Sequence, residues 1–206
     1  LLKIAPDKYD ITVFGAEPFG NYNRILLSPV LAGEKTIHDI MLNDLQWYQD
    51  NGITLHAGKN VVEINRVKRQ VIADDGTVES YDRLLLATGS NPFIIPIPGK
   101  DLHGVISFRD IHDVDAMLDA SKSYKHAVVI GGGLLGLEAA YGLKLQGMEV
   151  TVVHLLDTLM ERQLDKPAAG LLKADLEQRG LNFLMEAQTE TILGTDRVQG
   201  VRFKDG

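Results

Sequence analysis

Three glycines, Gly131, Gly133 and Gly136, stand in the stretch VVIGGGLLGLEAA between an apolar run and a run of helix formers. Their G-x-G-x-x-G spacing suits the turn from a strand into a helix. Gly131 permits the tight turn, Gly133 lets the main chain approach a pyrophosphate, and Gly136 lets helix and strand pack closely. A dinucleotide's phosphates are then expected on the amides opening the helix at Leu134 and Leu135, where unpaired N–H groups and the helix dipole favour an anion. The alternative is a tight strand-to-helix turn that holds no ligand. Glu138, on the same first turns, lies near the positive end of the helix dipole, which alone could account for it.

The identity of the dinucleotide stays open at this level. A carboxylate about 20 residues after the glycines usually accepts from the ribose 2′-hydroxyl of NAD. Here the next strand, EVTVVHLLD, ends at His154, and the first acidic residue beyond it is Asp157. His154 could donate to a 2′-phosphate, with Arg162 helping, which would favour NADP. It could equally be an indifferent surface imidazole.

The elements that must position these residues follow from periodicity and turn chemistry. Residues 9–15 alternate as a strand, and a short helical piece is expected near 26–31. The apolar pattern of 39–51, with Asp39 as cap and Gly52 beyond the end, predicts one helix. Short alternating strands are expected at 61–65, 70–73 and 77–81, with Asp75-Gly76 marking a turn. Leu84–Ala87 is apolar without alternation, which predicts a strand buried on both faces of a parallel sheet. The segment 91–99, NPFIIPIPG, holds three prolines and reads as a linker. A helix over 111–120 capped by Asp110 is followed by strand 127–131, helix 134–146, strand 149–154, helix 166–179 and strand 181–185. This βαβαβ order predicts half of a doubly wound sheet. Strands are expected again between Thr189 and Phe203.

The bulk numbers narrow the function classes. The chain has 206 residues, 45% hydrophobic and 24% charged, with a formal net charge of −7. That charge argues against nucleic acid as a partner, because phosphate backbones are bound by clustered Lys and Arg. No apolar run reaches the roughly 18 residues needed to span a bilayer, so no membrane role is expected. With no cysteine, the chain cannot supply a dithiol, a thiolate metal site or a disulfide, and it suits a reducing cytoplasm. The six histidines show no metal-ligand spacing, and no metal site is expected. Trp47 and Tyr48 read as core and surface of one helix.

The pair LLLATGSNPFIIPIPG and VVIGGGLLGLEAA resembles the pyridine nucleotide-dependent flavoprotein reductases across essentially the whole chain. The resemblance implies an α/β fold of two Rossmann-like, three-layer, parallel-sheet nucleotide-binding domains, each with a small β-meander. Residues 1–108 would bind FAD and residues 109–206 NAD(P)H. Both domains would be incomplete here, with the flavin domain's own first strand and glycine motif lying upstream in a longer chain. YNRILLS, GGGLLGLEAA and LMERQLD are most similar to the NAD(P)H-dependent nitrite reductase large subunits. In those, hydride passes from NAD(P)H to FAD and electrons go on to an iron–sulfur and sirohaem domain, whose ligands would lie outside this chain. Ferredoxin and rubredoxin reductases, which serve a small protein acceptor, share the Arg-x-x-Leu-Ser pattern at Arg24, Leu27 and Ser28. Pro29 stands where those types carry a lysine.

By the same resemblance, Glu17 would hold the FAD ribose, Arg24 the FAD pyrophosphate, and Val61 the adenine through its backbone. Ala16, beside Glu17, is acidic in some relatives. Leu27 and Ser28 would approach the flavin ring, and Ala87, Thr88 and Gly89 would line its side. Glu138 would face the nicotinamide. Read without the resemblance, Glu17 is a loop charge at a strand end, Arg24 a loop arginine and Val61 an ordinary strand valine. The partners implied are NAD(P)H and an electron-acceptor domain or protein; a homodimer is compatible with the pattern but not specified by it.

Overall fold

In the computed structural model, which describes residues 1–205, the chain forms two compact units. One comprises Leu1–Asn23 and Ile40–Ser90, the other Arg24–Asp39 and Asn91–Gly206. Both are mixed α/β with parallel strand pairs.

In the first unit, β1 (Ile11–Gly15) pairs in parallel with β4 (Ile53–Ala57). Strands β2 (Asn21–Tyr22) and β3 (Met41–Asn43) form a short antiparallel pair. An antiparallel meander follows in β5 (Val61–Asn65), β6 (Gln70–Ala73) and β7 (Val78–Ser80). Tyr22, Ile40, Val71 and Ala73 are its buried hydrophobic residues.

Two expectations fail in this unit. Residues 39–51 are not one helix. α2 (Ile37–Ile40) ends where β3 begins, and α3 (Leu45–Asp50) starts afresh behind Asp44, whose carboxylate accepts from the Trp47 N–H at 2.8 Å. Asp39 instead accepts from the N–H and hydroxyl of Thr36. The helical apolar spacing was outweighed by the pairing of Met41–Asn43 with β2 and by a stronger cap at Asp44. Leu84–Ala87 forms no strand either. Among the described residues it pairs with nothing, and Leu85 and Leu86 are 87% and 65% exposed. An apolar run becomes a strand only where a neighbouring edge supplies hydrogen bonds, and the β1–β4 pair does not take it up.

The second unit begins with a 3₁₀ turn, Arg24–Leu26, and α1 (Leu27–Leu31). Helix α4 (Ile111–Ser123) starts with a reciprocal box: Asp110 accepts from the Asp113 N–H, and the Asp113 carboxylate accepts from the Asp110 N–H. The βαβαβ core is β8 (His126–Ile130), α5 (Leu134–Leu145), β9 (Glu149–Val153), α6 (Lys166–Gln178) and β10 (Asn182–Leu184). Its strands lie parallel in the order β10-β9-β8. Val150, Val152 and Val153 are fully buried in the central strand. Asp165 caps α6, with Pro167 in the first turn where its missing N–H costs nothing. The β11 (Thr189–Gly194) and β12 (Val198–Phe203) hairpin closes the unit. The proline-rich segment joins that hairpin, as the Pro98 carbonyl accepts from the Ile192 N–H at 2.9 Å. Among the described residues no helix is long and apolar enough to cross a membrane.

Candidate functional site

The glycine motif lies where its spacing placed it, between β8 and α5. Gly131 holds a φ of +121°, which an L side chain rarely adopts, and its N–H donates to the Val153 carbonyl at 2.8 Å. A Cβ at Gly136 would sit 2.0 Å from the Gly131 carbonyl oxygen, so only glycine lets the helix come this close to the turn. Gly132 is buried, and a Cβ there would meet Leu159 at 2.5 Å and His154 at 3.0 Å.

Gly133 differs from all three. Its φ of −84° and ψ of 178° suit any residue, and a Cβ there would find nothing within 4 Å. It opens α5 with no side-chain cap, and the neighbouring Leu134 and Leu135 are half exposed. The first amides of a helix have no intrahelical partner and carry the positive end of its dipole. The loop therefore presents an open, uncapped, anion-seeking cradle, and the fold gives no reason of its own for glycine at position 133.

The segment after β9 fastens this loop. The Gly132 N–H donates to His154 Nδ1 at 3.0 Å, which leaves the ring proton on Nε2, 3.0 Å from the Thr158 carbonyl. The Met160 N–H donates to the Gly132 carbonyl at 3.0 Å. His154 is only 8% exposed. It is thus no surface imidazole, and neither ring nitrogen is left to donate to a 2′-phosphate. The residue just after β9 turns inward, where Gly132 and Thr158 satisfy both its nitrogens, a pairing between distant segments that residue spacing does not encode. Arg162 lies exposed nearby in sequence. Asp157 is tied to Lys166 Nζ at 2.6 Å and to the Thr158 hydroxyl at 2.7 Å, and the lysine, then the hydroxyl, hold its pKa below the ordinary value.

Four further residues singled out in the sequence meet in the same unit. The Ser28 hydroxyl, in α1, donates to Glu138 Oε2, in α5, at 2.5 Å. The helices stay together because Leu31 is fully buried where α5 presents Gly142: a Cβ there would come 2.7 Å from Leu31 Cγ. Gln146 Nε2 adds a hydrogen bond to the Leu31 carbonyl at 2.8 Å. Leu27 is buried beside Ser28. Arg24 Nη1 donates to the Arg109 carbonyl at 2.7 Å, and the Arg109 N–H donates to Asp113 at 2.7 Å. Burial raises the Asp113 pKa, against the pull of the Ser107 hydroxyl and the Arg109 and Asp110 amides.

The remaining candidates lie in the first unit. Glu17 follows β1 and accepts from the Tyr22 hydroxyl at 2.5 Å. Its carbonyl accepts from the Gly58 N–H at 3.0 Å, which brings the turn before Val61 to the end of β1. Ala87, Thr88 and Gly89 are exposed, with Gly89 at φ +65°. Among the described residues, no group of three or more His, Cys, Asp or Glu comes together as a metal site would need. Gly132 and its partners Leu159 and Met160 were not legible as site residues; the extra glycine in the middle of the run 131–133 was the one signal for them.

The sequence profile of the pyridine nucleotide-disulphide oxidoreductases matches residues 1–206. The chain belongs to that family. These 206 residues contain no cysteine. It is 57% identical over all its 206 residues to the nitrite reductase [NAD(P)H] of Bacillus subtilis, covering 26% of that protein. It is 48% identical over the same length to an assimilatory nitrate reductase electron transfer subunit of the same organism, covering 27%. The chain thus spans about a quarter of the length of these curated relatives. A ferredoxin reductase crystal structure from Rhodopseudomonas palustris superposes on the whole chain with a TM-score of 0.90 at 28% identity, covering 51% of that structure.

Proposed function

We propose that this chain is the electron-input part of a cytoplasmic flavoprotein that takes hydride from NAD(P)H onto FAD and passes electrons to an iron–sulfur and sirohaem centre for nitrite reduction. The observation that carries the nucleotide half is the open, uncapped Gly133. The 57% identity to a nitrite reductase supports the choice of acceptor. Residues 109–206 hold the nucleotide contacts in this reading, and 1–108 the flavin contacts, although Arg24, Leu27 and Ser28 belong to the same compact unit as the glycine loop.

Within this reading the chain's own residues take the following roles. The Leu134 and Leu135 amides hold the nucleotide pyrophosphate, Gly133 leaves room for it, and Gly131 and Gly136 set the turn. Each helix-terminal anion contact is worth about 0.3–2 kcal/mol. His154 and Met160 keep the loop from moving. Ser28 points the Glu138 carboxylate, which we assign to the nicotinamide end. Glu17 suits a ribose diol, and its carboxylate is already aimed by Tyr22. Ala87, Thr88 and Gly89 are exposed, so that a flat ring can lie against them, while Val61 follows the turn whose Gly58 N–H bonds the Glu17 carbonyl. Bound FAD supplies the hydride acceptor and the one-electron release, chemistry that no side chain here performs.

The likeness to a ferredoxin reductase over the whole chain favours one second reading, a reductase serving a small protein acceptor. Purified complete protein separates these readings. We expect a flavin absorbance that bleaches anaerobically on adding NADH or NADPH and returns on adding nitrite. Bleaching that returns only with an added ferredoxin or rubredoxin would favour the second reading. Protein carrying no flavin, or flavin untouched by either nucleotide, would contradict both.

A further inference from the structure

Met160 is a non-glycine residue in the left-handed region, with φ +50°. Such a backbone is held in place only by its surroundings. Here its N–H bonds the Gly132 carbonyl, while its own carbonyl accepts from the Gln163 and Leu164 N–H groups at 2.8 and 3.0 Å. The chain is thereby folded back under the glycine loop, and the next residue, Glu161, is set beside His154. Glu161 Oε2 lies 3.6 Å from His154 Nε2, too far for a hydrogen bond, and its side chain remains 35% exposed. A carboxylate with free lone pairs therefore sits one imidazole width from the amide of Gly132.

In this kind of fold a carboxylate at the end of the second strand accepts from the ribose 2′-hydroxyl. His154, the first residue after β9, is committed to Gly132 and Thr158. Asp157 is committed to Lys166 and Thr158. We infer that Glu161 takes the ribose diol of the nucleotide, and so favours a free 2′-hydroxyl over a 2′-phosphate. The inference rests on the nucleotide site proposed above. A carboxylate accepts from a hydroxyl but repels a phosphate dianion, and such like-charge juxtaposition discriminates strongly. The neighbouring Arg162 is the competing determinant, since its guanidinium would welcome the phosphate.

The test is a titration of the complete protein with NADH and with NADPH, by calorimetry, for the wild type, Glu161→Gln and Arg162→Ala. Gln keeps the shape of the exposed side chain and removes only its charge. We expect the wild type to bind NADH at least about tenfold more tightly, and Glu161→Gln to narrow that ratio about fivefold or more. A ratio that Glu161→Gln leaves unchanged overturns the inference while the nucleotide site stands. So does a wild-type preference for NADPH that disappears in Arg162→Ala. A wild type that binds neither nucleotide overturns the site itself, and the role of Glu161 with it.

Discussion

Removing the hydrogen bond between Ser28 and Glu138 gives a worked prediction, because two helices far apart in sequence meet there. The 2.5 Å contact joins a hydroxyl donor to a carboxylate. A hydrogen bond to a charged group contributes about 1.5–3 kcal/mol when well protected. Both side chains here are half-buried, so water competes, and about 1–2 kcal/mol is the expected coupling. Ser28→Ala should not undock α1, since Leu27, Val30 and Leu31 remain buried and Gln146 still holds the Leu31 carbonyl. The assay is a double-mutant cycle of Ser28→Ala and Glu138→Ala, read by urea unfolding of the complete protein in the transition that reports the second unit. Glu138→Gln should lose about half the coupling, because its amide oxygen still accepts while the charge assistance is gone. The same variants should slow flavin reduction by NADH, if the serine aims the carboxylate at the nicotinamide. A coupling below about 0.5 kcal/mol, within ordinary additivity, would refute the contact as an energetic link.

Other substitutions follow the same geometry. His154→Ala leaves the Gly132 N–H without its partner and opens a cavity under the loop, which should cost about 2–4 kcal/mol in urea unfolding and weaken NADH binding. Leu31→Ala, at a fully buried position, should cost about 2–5 kcal/mol, and flavin reduction should fall with it as α1 loosens from α5. Asp110→Ala removes one half of the box that opens α4. It should cost about 1 kcal/mol, read as a fall of about 2–4 °C in the melting temperature of the unit.

The sequence made the second unit legible because its signals agree with one another. Asp110 marks a helix start, Gly180 follows a helix end, and apolar strands alternate with amphipathic helices from His126 to Leu184. Each of these is local, acting within a turn or two of chain. The glycine spacing was legible for the same reason, since a positive φ at Gly131 and a missing Cβ at Gly136 are demands of one tight turn. What escaped was set by partners distant in the chain. Met41–Asn43 follow β2 rather than their own helical spacing. Leu84–Ala87 look like a buried strand but find no edge to pair with. Ile53–Ala57 pair with β1, and their alternation after Gly52 was a usable signal that the larger helix pattern before it masked. His154 is the sharpest case: spacing left it open between a phosphate donor and a surface imidazole, whereas its two nitrogens face Gly132 and Thr158. The meeting of Ser28 with Glu138 was likewise invisible to spacing, although each residue was singled out separately.

Nucleotide binding depends most on the space left by Gly133, where the fold would accept a side chain and a bound pyrophosphate would not. The direct measurement is the affinity of the complete protein for NADH in the wild type and in Gly133→Ala, taken alongside urea unfolding of both. An unchanged or slightly raised stability is expected, because the backbone there suits alanine and nothing crowds its Cβ. Binding should weaken about tenfold or more, equivalent to about 1.4 kcal/mol. Equal affinity of the two proteins for NADH would place the nucleotide somewhere other than this loop.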